Sequence, residues 1–209
     1  SAGLRAAADV NSLINDDAVD VVYIASPPLT HAAHANAALE FGKPVFCEKP
    51  LGIDIPTSEA LAARATASGI AHGVNFIFAS AHPTTQIEQA LAQAELGEIK
   101  GAEAQLHLPN WAGRRYVEAP WLMESDQGGF VREVLSHFIY LTERLFGPAV
   151  VDYSHCRQGL RHGSAITGVV AELTCGDIPI NIHCSTLGWG PDVCNYTVWG
   201  EHWSDRAPR

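Results

Sequence analysis

The stretch Pro44-Val45-Phe46-Cys47-Glu48-Lys49-Pro50-Leu51 decides the fold, because a short apolar run ends abruptly in an acid, a base and a proline. Phe46 and Cys47 are typical of the buried end of a strand, whereas Glu48 and Lys49 are rarely buried without partners. Ligands bind beyond the carboxyl ends of the strands in an open parallel sheet. Taken alone, the pattern fits equally well a lysine that acts on a bound molecule and a surface charge pair.

The preceding residues predict a strand followed by a helix. Residues 19–25 are apolar except for one aspartate and rich in β-branched side chains, which is typical of a strand covered on both faces. Ser26-Pro27-Pro28 ends this strand, Thr30 offers an N-cap, and residues 31–41 form an alanine-rich helix that Gly42 ends. Residues 9–18 predict a further short helix that closes into a turn.

The following residues repeat the strand–helix order. Asp54 or Thr57 can cap a helix that has Pro56 in its first turn and ends at Gly69, and a third short strand over 71–74 runs into Asn75. Strands that alternate with helices of this length indicate right-handed crossovers in a parallel sheet. Ser26-Pro27-Pro28, Glu48-Lys49-Pro50 and Asn75 then open onto one edge of that sheet. No Gly-x-Gly-x-x-Gly motif for a pyrophosphate occurs in these residues.

The middle of the chain predicts a helix over 83–94, a strand over 100–108 and a long loop. The loop over 109–127 holds aromatic and arginine side chains, namely Trp111, Arg114, Arg115, Tyr116 and Trp121. Such residues can line a sugar-sized pocket, or they can fix the loop through their own contacts. The sequence leaves both interpretations open.

Gly128-Gly129 precede a predicted amphipathic helix over 130–146. Glu133 and His137 lie one turn apart on one face, close enough for the carboxylate to orient or charge the imidazole. A solvated helix face is the alternative interpretation of the same spacing.

The last part of the chain is strand-like, with strands predicted over 150–155, 166–175, 178–187 and 196–199. Gly176-Asp177 predict a hairpin turn between two of them. The fold class predicted for the whole chain is α/β: a parallel Rossmann-type sheet over residues 1–78, then an α+β domain over 79–209 with a mostly antiparallel open sheet.

The composition of the chain limits the kinds of partner that we expect it to bind. The 209 residues are 47% apolar and 17% charged, with a formal net charge of −10. An acidic chain without basic patches argues against binding nucleic acid or a membrane surface. No stretch approaches the roughly 18 apolar residues of a transmembrane helix, and no basic-then-apolar signal segment is present.

Five cysteines, an odd number without any Cys-x-x-Cys pair, indicate a reduced, cytoplasmic chain. His31 with His34 and His155 with His183 invite a metal interpretation, but no ligand set has the spacing of a zinc site. We therefore expect no metal.

The quoted motifs resemble the glucose–fructose oxidoreductase / inositol dehydrogenase / MocA family. They are Ser26-Pro27-Pro28 with His31, then Glu48-Lys49-Pro50, then Asn75, then Leu96-Gly97-Glu98-Ile99. The resemblance covers about residues 10–150 and, more loosely, the remainder. It implies that a strand, a glycine-rich turn, a helix and a second strand precede residue 1, and that further strands follow residue 209.

The resemblance implies hydride transfer between NAD or NADP and a hydroxyl-bearing carbon of a sugar, cyclitol or related polyol. The cofactor site would comprise Ser26, Pro27, Pro28, His31, Glu48, Lys49 and Asn75. His137 would be the base, Glu133 would orient it, and Lys49 would hydrogen-bond the reacting oxygen. The substrate site would comprise Lys49, Tyr116, Trp121 and His137. The open face of the second sheet would join copies of the chain into a homo-oligomer.

The sequence also departs from the family pattern. Glu133 stands where aspartate is usual, Tyr140 stands where a further acid is usual, and Phe76-Ile77-Phe78 replaces an arginine after Asn75. These departures leave two alternatives open: a non-catalytic ligand-sensing or regulatory homologue, and an NAD-dependent glycoside hydrolase of the same fold.

Overall fold

The structure is a computed structural model that describes residues 5–111, 113, 115–159 and 163–202, without the side chains of residues 115 and 116. The chain divides into two compact units, Ser1–Phe76 and Ile77–Arg209. Among the described residues, no helix is long and apolar enough to cross a membrane.

The first unit contains the predicted parallel sheet. Its strands are β1 (Val22–Ile24), β2 (Val45–Glu48) and β3 (His72–Asn75), in the order β1-β2-β3. The register pairs Ile24 with Cys47 and Glu48 with Asn75. The polar ends of β2 and β3 therefore lie side by side.

Three helices accompany this sheet, namely α1 (Val10–Ile14), α2 (His31–Glu40) and α3 (Ile55–Ser68). Asp54 caps α3, because its carboxylate accepts a hydrogen bond from the Thr57 backbone N–H at 2.7 Å. Gly69 ends α3 with a φ of 66°, a left-handed conformation that costs glycine little. The predicted start and stop of this helix are confirmed.

The helix α2 begins differently from the prediction. Thr30 closes a short 3₁₀ helix, Pro28–Thr30, and its hydroxyl does not cap α2. The hydroxyl instead donates to the Pro27 carbonyl oxygen at 2.9 Å, so it stabilises the turn after β1.

The parallel sheet is buried on one face only, which corrects the prediction for residues 19–25. Val22, Ile24, Val45 and Cys47 are buried among residues of α1, α2 and α3. Tyr23 and Phe46 point the other way and are 54% and 42% exposed. The physical reason is that successive right-handed crossovers place their helices on the same side of a sheet.

The second unit is built on a five-stranded sheet that is mostly antiparallel, as predicted. Its strands are β4 (Ile99–His107), β5 (Ala149–Gln158), β6 (Ile166–Cys175), β7 (Ile178–Ser185) and β8 (Val193–Gly200). Their order in the sheet is β5-β6-β7-β4-β8, and among these strands only the β4–β7 pair is parallel. Gly176 and Asp177 form the predicted two-residue hairpin, with Cys175 paired to Ile178.

Helical segments cover one face of this sheet. Phe130, Leu135 and Phe138 pack into a core with inward residues of β4, β6 and β7. The regular helices are α4 (His82–Ala92), α5 (Arg115–Glu118) and α6 (Ser136–Phe146). Shorter 3₁₀ helices are Ile77–Ala79 and Pro120–Met123, and Val131–Leu135 is a π-helical turn.

The glycine pair before the π-helical turn is required by close contact. A Cβ on Gly128 would lie 2.0 Å from the Trp121 carbonyl oxygen, and a Cβ on Gly129 would lie 2.7 Å from the Ala165 Cβ. Backbone atoms of the Pro120–Met123 helix therefore contact the start of the helical segment that contains Glu133 and His137.

Candidate functional site

Polar residues line the carboxyl edge of the parallel sheet in the first unit. Ser26 follows β1 closely, Glu48 and Asn75 are the last residues of β2 and β3, and Lys49 comes next after Glu48. This is the edge at which open parallel sheets bind ligands.

The Glu48 carboxylate is held by two donors from the neighbouring strands. The Tyr23 hydroxyl and the Asn75 Nδ2, at 2.7 Å, both donate to Oε1 of Glu48. Burial acts to raise the pKa of Glu48, but the two hydrogen bonds and the charge of Lys49 outweigh it and hold the pKa below its ordinary value. Glu48 is therefore an oriented carboxylate at neutral pH.

The same contact changes the pKa of the Tyr23 phenol. The hydrogen bond to Glu48, followed by burial and the carboxylate charge, raises the pKa of the Tyr23 phenol. The ring of Tyr23 stacks on that of Phe46 at 5.7 Å, with 26° between the planes. The hydroxyl thus remains a donor, on a ring held against the neighbouring strand.

Lys49 is buried, with 8% of its surface exposed, and its peptide bond to Pro50 is cis. Lysine side chains are almost never fully buried, so the burial of Lys49 at the end of a strand is unusual.

The turn after β1 is fixed by its own hydrogen bonds. The Ser26 and Thr30 hydroxyl oxygens lie 2.6 Å apart, and Pro28 is buried. Pro27 precedes the 3₁₀ helix in an extended conformation, with φ −61° and ψ 146°. Ser26, Pro27 and Pro28 therefore present one ordered backbone at the sheet edge.

His31 lies beneath this turn, with 1% of its surface exposed. Its Nδ1 is 2.7 Å from the Pro50 carbonyl oxygen, and its Nε2 is 2.8 Å from the Ser26 carbonyl oxygen. Both ring nitrogens are thus occupied by backbone oxygens.

The second unit places Glu133 and His137 on one continuous helical segment, but not on one regular helix. Glu133 is in the π-helical turn and His137 is in the first turn of α6. π-Helical turns inside helices often occur at functional sites. His137 is 7% exposed, and the ring of Phe78 packs against it at 5.7 Å with 58° between the planes.

Tyr140 is tied into a chain of contacts between α4 and α6. The Arg144 guanidinium donates to the Tyr140 hydroxyl at 3.2 Å and to the Glu88 carboxylate at 2.6 Å. Those two hydrogen bonds, with the Glu88 bond the larger cause, raise the pKa of Arg144. Tyr140 therefore accepts a hydrogen bond where the family pattern has an acid.

The structure describes part of the loop over residues 109–127 that holds aromatic and arginine side chains. Trp121 is half-buried in the Pro120–Met123 helix, and the side chain of Tyr116 lies outside the described residues. Two buried atoms of this region, Trp111 Nε1 and Gln127 Oε1, have no hydrogen-bond partner among the described residues. The Trp111 ring packs edge-on against Phe130 at 5.9 Å.

The part of the chain that the structure describes holds no group of three or more metal-ligating side chains.

Sequence reasoning missed two contributors, Tyr23 and Phe78. Tyr23 is an aromatic in an otherwise aliphatic strand, and its pairing with Phe46 brings it beside Glu48. In the sequence, Phe78 stands out only as part of Phe76-Ile77-Phe78, which replaces an arginine of the family pattern. The signal that would have identified Tyr23 is a tyrosine in the strand that pairs with the strand ending in Glu-Lys-Pro.

Comparison with known proteins agrees with this architecture. Residues 1–76 match the model of the GFO_IDH_MocA family, described as an oxidoreductase family with an NAD-binding Rossmann fold. The chain is 36% identical over 98 residues to a dTDP-3,4-didehydro-2,6-dideoxy-alpha-D-glucose 3-reductase of Actinomadura kijaniata, covering 47% of this chain and 30% of the relative. It is 28% identical over 163 residues to an inositol 2-dehydrogenase of Rhodococcus jostii, covering 78% and 42%.

A solved structure extends the likeness of fold to both units. The WlbA dehydrogenase of Bordetella pertussis, solved in complex with NADH and UDP-GlcNAcA, matches with a TM-score of 0.84 at 20% identity, covering 95% of this chain and 61% of that one. The chain spans less than half the length of the two curated relatives above. Residues 1–76 are thus similar to the glucose–fructose oxidoreductase / inositol dehydrogenase / MocA family of oxidoreductases with an NAD-binding Rossmann fold.

Proposed function

We propose that the protein is an NAD(P)-dependent oxidoreductase that transfers hydride between a nicotinamide cofactor and a hydroxyl-bearing carbon of a sugar, cyclitol or related small polyol. The observation that carries this proposal is the carboxyl edge of the parallel sheet, where Tyr23 and Asn75 hold the Glu48 carboxylate next to the buried Lys49. The family match over residues 1–76 supports it.

The residues at this edge suit a nicotinamide dinucleotide. Ser26, Pro27 and Pro28 offer ordered backbone, Asn75 offers an amide, and Glu48 offers a carboxylate whose second oxygen can accept from an amide or hydroxyl. The nicotinamide, when bound, supplies the hydride acceptor or donor.

Lys49 is proposed to hydrogen-bond the reacting oxygen of the substrate. An ammonium held away from water stabilises a developing negative charge far better than one in water. A lysine has three N–H donors and no acceptor, so it suits the oxygen of either an alcohol or a carbonyl.

His137 is proposed as the base that takes the hydroxyl proton, and Glu133 as the residue that orients it. An imidazole changes charge near neutral pH, which suits proton transfer. Glu133 precedes His137 by one turn of the same helical segment. Phe78 packs on the His137 ring and limits its rotation.

The substrate class follows from relatives that act on sugar and inositol substrates. Trp121 and Tyr116 are proposed to contact the substrate. Trp111 Nε1, a buried donor, and Gln127 Oε1, a buried acceptor, are suited to substrate hydroxyls because the described protein leaves both unpaired.

The open face of the five-stranded sheet is proposed to bind a second copy of the chain. Val150, Tyr153, Val170 and Trp199 contribute exposed apolar surface to this sheet. Exposed apolar surface on a sheet is typical of protein–protein contacts.

Calorimetric titration with NAD and with NADP, on the protein as its reading frame encodes it, is the first test. Binding of either cofactor, followed by a net change in nicotinamide absorbance with a panel of polyols and sugars, would support the proposal. Sugar release without net absorbance change would favour the hydrolase, and cofactor binding without turnover would favour the regulatory homologue. If neither cofactor binds, the proposal is wrong.

A further inference from the structure

Arg144, in the last turn of α6, makes contacts to which the proposed reaction gives no role. Its Nε donates to the Glu88 carboxylate at 2.6 Å, and its Nη1 donates to the Tyr140 hydroxyl at 3.2 Å. A guanidinium is planar and presents its donors in a fixed fork, so the two bonds determine its orientation. Since Glu88 lies on α4, Arg144 joins α4 to α6.

A second contact joins the same two parts of the unit near the start of α6. The ring of Phe78 lies 5.7 Å from the ring of His137 and 5.0 Å from that of Phe138. Phe78 precedes the start of α4 by four residues. The segment over residues 77–92 therefore contacts α6 near its start through Phe78 and near its end through Glu88.

The two contacts act together because they are far apart along one helix. His137 and Arg144 are seven residues apart in α6, which corresponds to roughly 10 Å along the helix axis. A single contact would let the segment over residues 77–92 pivot on α6, whereas two contacts hold both its distance and its angle.

The helix α4 has few buried residues of its own. Of the residues of α4, all of which the structure describes, only Thr84 is buried, and Ile87 and Leu91 are half-buried. Most of the stability of a helix in a protein comes from packing of its apolar face. The position of α4 on α6 therefore depends strongly on polar contacts such as the one between Glu88 and Arg144.

We propose that Arg144 is a positioning residue for the proposed reaction: by holding α4 against α6, it holds the Phe78 ring against the imidazole of His137. The inference rests on the proposed function for the role of His137 as the base. The effect of Arg144 passes through Glu88 and Phe78, not through a contact with the substrate.

The first readout needs neither cofactor nor substrate. An aromatic ring shifts the NMR resonances of nearby protons, so the ring protons of His137 report on the position of Phe78. Phe78→Leu gives the resonance position without the aromatic contact, and His137→Gln assigns the signal by its loss. We expect Arg144→Lys, which keeps the charge but not the planar fork, to move the His137 signal from its wild-type position towards that of Phe78→Leu. A wild-type His137 signal in Arg144→Lys would overturn the proposal.

The second readout is steady-state kinetics with the best substrate of the screen. A displacement near 1 Å at the reacting centre can cost about 10²-fold in rate, and we expect Arg144→Lys and Glu88→Gln to lower kcat by about tenfold. KM should change far less, because a displaced base slows the chemical step without removing a binding contact. Thermal unfolding of each variant shows whether a loss of folded protein accounts for a lower rate.

Arg64→Lys is the matched control. The Arg64 guanidinium on α3 donates to the Asn36 amide oxygen at 2.9 Å and to the Glu40 carboxylate at 3.0 Å, both on α2. It therefore also joins two helices, but in the first unit, so Arg64→Lys should leave the His137 resonances and kcat unchanged. Equal losses of kcat in Arg64→Lys and Arg144→Lys would overturn the proposal.

If the unaltered protein turns over no substrate, the proposed function fails, and the His137 resonances still decide whether Arg144 holds Phe78 in place. If Arg144→Lys does not fold, Glu88→Gln, which alters a partly exposed carboxylate, is used for the same two measurements. Unchanged His137 resonances and unchanged kcat in Glu88→Gln would then overturn the proposal.

Discussion

The Tyr23 hydroxyl on β1 donates a hydrogen bond to the Glu48 carboxylate at the end of β2. Asn75 at the end of β3 donates to the same oxygen, so all three strands of the parallel sheet converge on one carboxylate. This arrangement depends on strand register, because Glu48 pairs with Asn75 and Tyr23 lies one residue before the partner of Cys47. The hydrogen bonds of the Glu48 carboxylate therefore depend on the alignment of all three strands at this edge of the sheet.

Replacing Tyr23 with phenylalanine is expected to raise the pKa of Glu48 towards its ordinary value. A carboxyl with a lowered folded-state pKa stabilises the fold above its unfolded pKa of about 4.3, and that stabilisation is lost as pH falls through the folded pKa. Tyr23→Phe should therefore be destabilised at neutral pH, by less than about 1 kcal/mol because Tyr23 is half exposed, and the difference should shrink in acid.

The measurements for Tyr23→Phe are a ¹³C NMR titration of Glu48 and urea unfolding at several pH values. Tyr153→Phe, an exposed tyrosine on β5, is the control. An unchanged Glu48 titration in Tyr23→Phe would show that the hydroxyl does not hold the carboxylate.

His137→Gln is expected to lower kcat by about 10²- to 10⁴-fold, the usual contribution of a general base. Cofactor affinity should change little, because the proposed cofactor residues all lie in the first unit. Steady-state kinetics with the best substrate from the screen provide the measurement, and His155→Gln on the exposed strand β5 provides the control. Full turnover by His137→Gln would remove His137 from the role of base.

Gly128→Ala is expected to destabilise the second unit by about 3 kcal/mol, or to prevent its folding. The added methyl group would overlap backbone atoms of Trp121 and Leu122, which no side-chain rotation can move away. Thermal unfolding followed by circular dichroism measures the effect. Gly73→Ala is the control, because its Cβ would meet only the Phe46 ring, at 3.4 Å; equal melting temperatures for the two variants would contradict the contact.

The cysteines are expected to differ sharply in their reaction with iodoacetamide near pH 8. Burial, followed by the charge of Glu48, raises the pKa of Cys47 to about 12. Burial, followed by the charge of Cys194, raises the pKa of Cys184 to about 12. Both therefore remain unreactive thiols in the folded protein. Cys156 and Cys194 are both exposed, but burial, followed by the charge of Asp192, raises the pKa of Cys194, so Cys156 should react first. Mass spectrometry locates the label, Cys156→Ser is the control, and rapid labelling of Cys47 before unfolding would contradict the burial.

Val170→Glu is expected to shift the protein from an oligomer to a monomer, because it places a charge on the open face of the five-stranded sheet. Sedimentation velocity measures the assembly. Val10→Glu, which changes an exposed residue of α1 in the first unit, is the matched control and should leave the assembly unchanged. A wild-type protein that sediments as a monomer at micromolar concentration would refute the proposed interface.

The sequence predicted the parts of the fold that local chemistry determines. Asp54 and Gly69 delimit α3, and Gly176-Asp177 turn the hairpin, because capping and turn conformations depend on a few adjacent residues. The order of apolar runs, and of the residues that end them, likewise predicted the alternation of strands and helices.

What the sequence could not predict depends on non-local geometry. An apolar stripe with a spacing of three and four residues predicts a regular α-helix, so the sequence did not indicate the π-helical turn that contains Glu133. The bond between Tyr23 and Glu48 requires the register of two strands. The packing of Phe78 on His137 joins residues 59 positions apart, and no local pattern indicates it.

The position of β4 within its sheet has a consequence for synthesis on the ribosome. β4 is made early in its unit, yet its neighbours are β7 and β8, and Ile99 pairs with Gly200. Non-local pairings form slowly because a long loop must close first. The three described strands of the parallel sheet, by contrast, have all been synthesised once Asn75 has emerged. The nascent chain therefore forms the parallel sheet of its first unit first, whereas β4 stays unpaired until β7 and β8 have been translated.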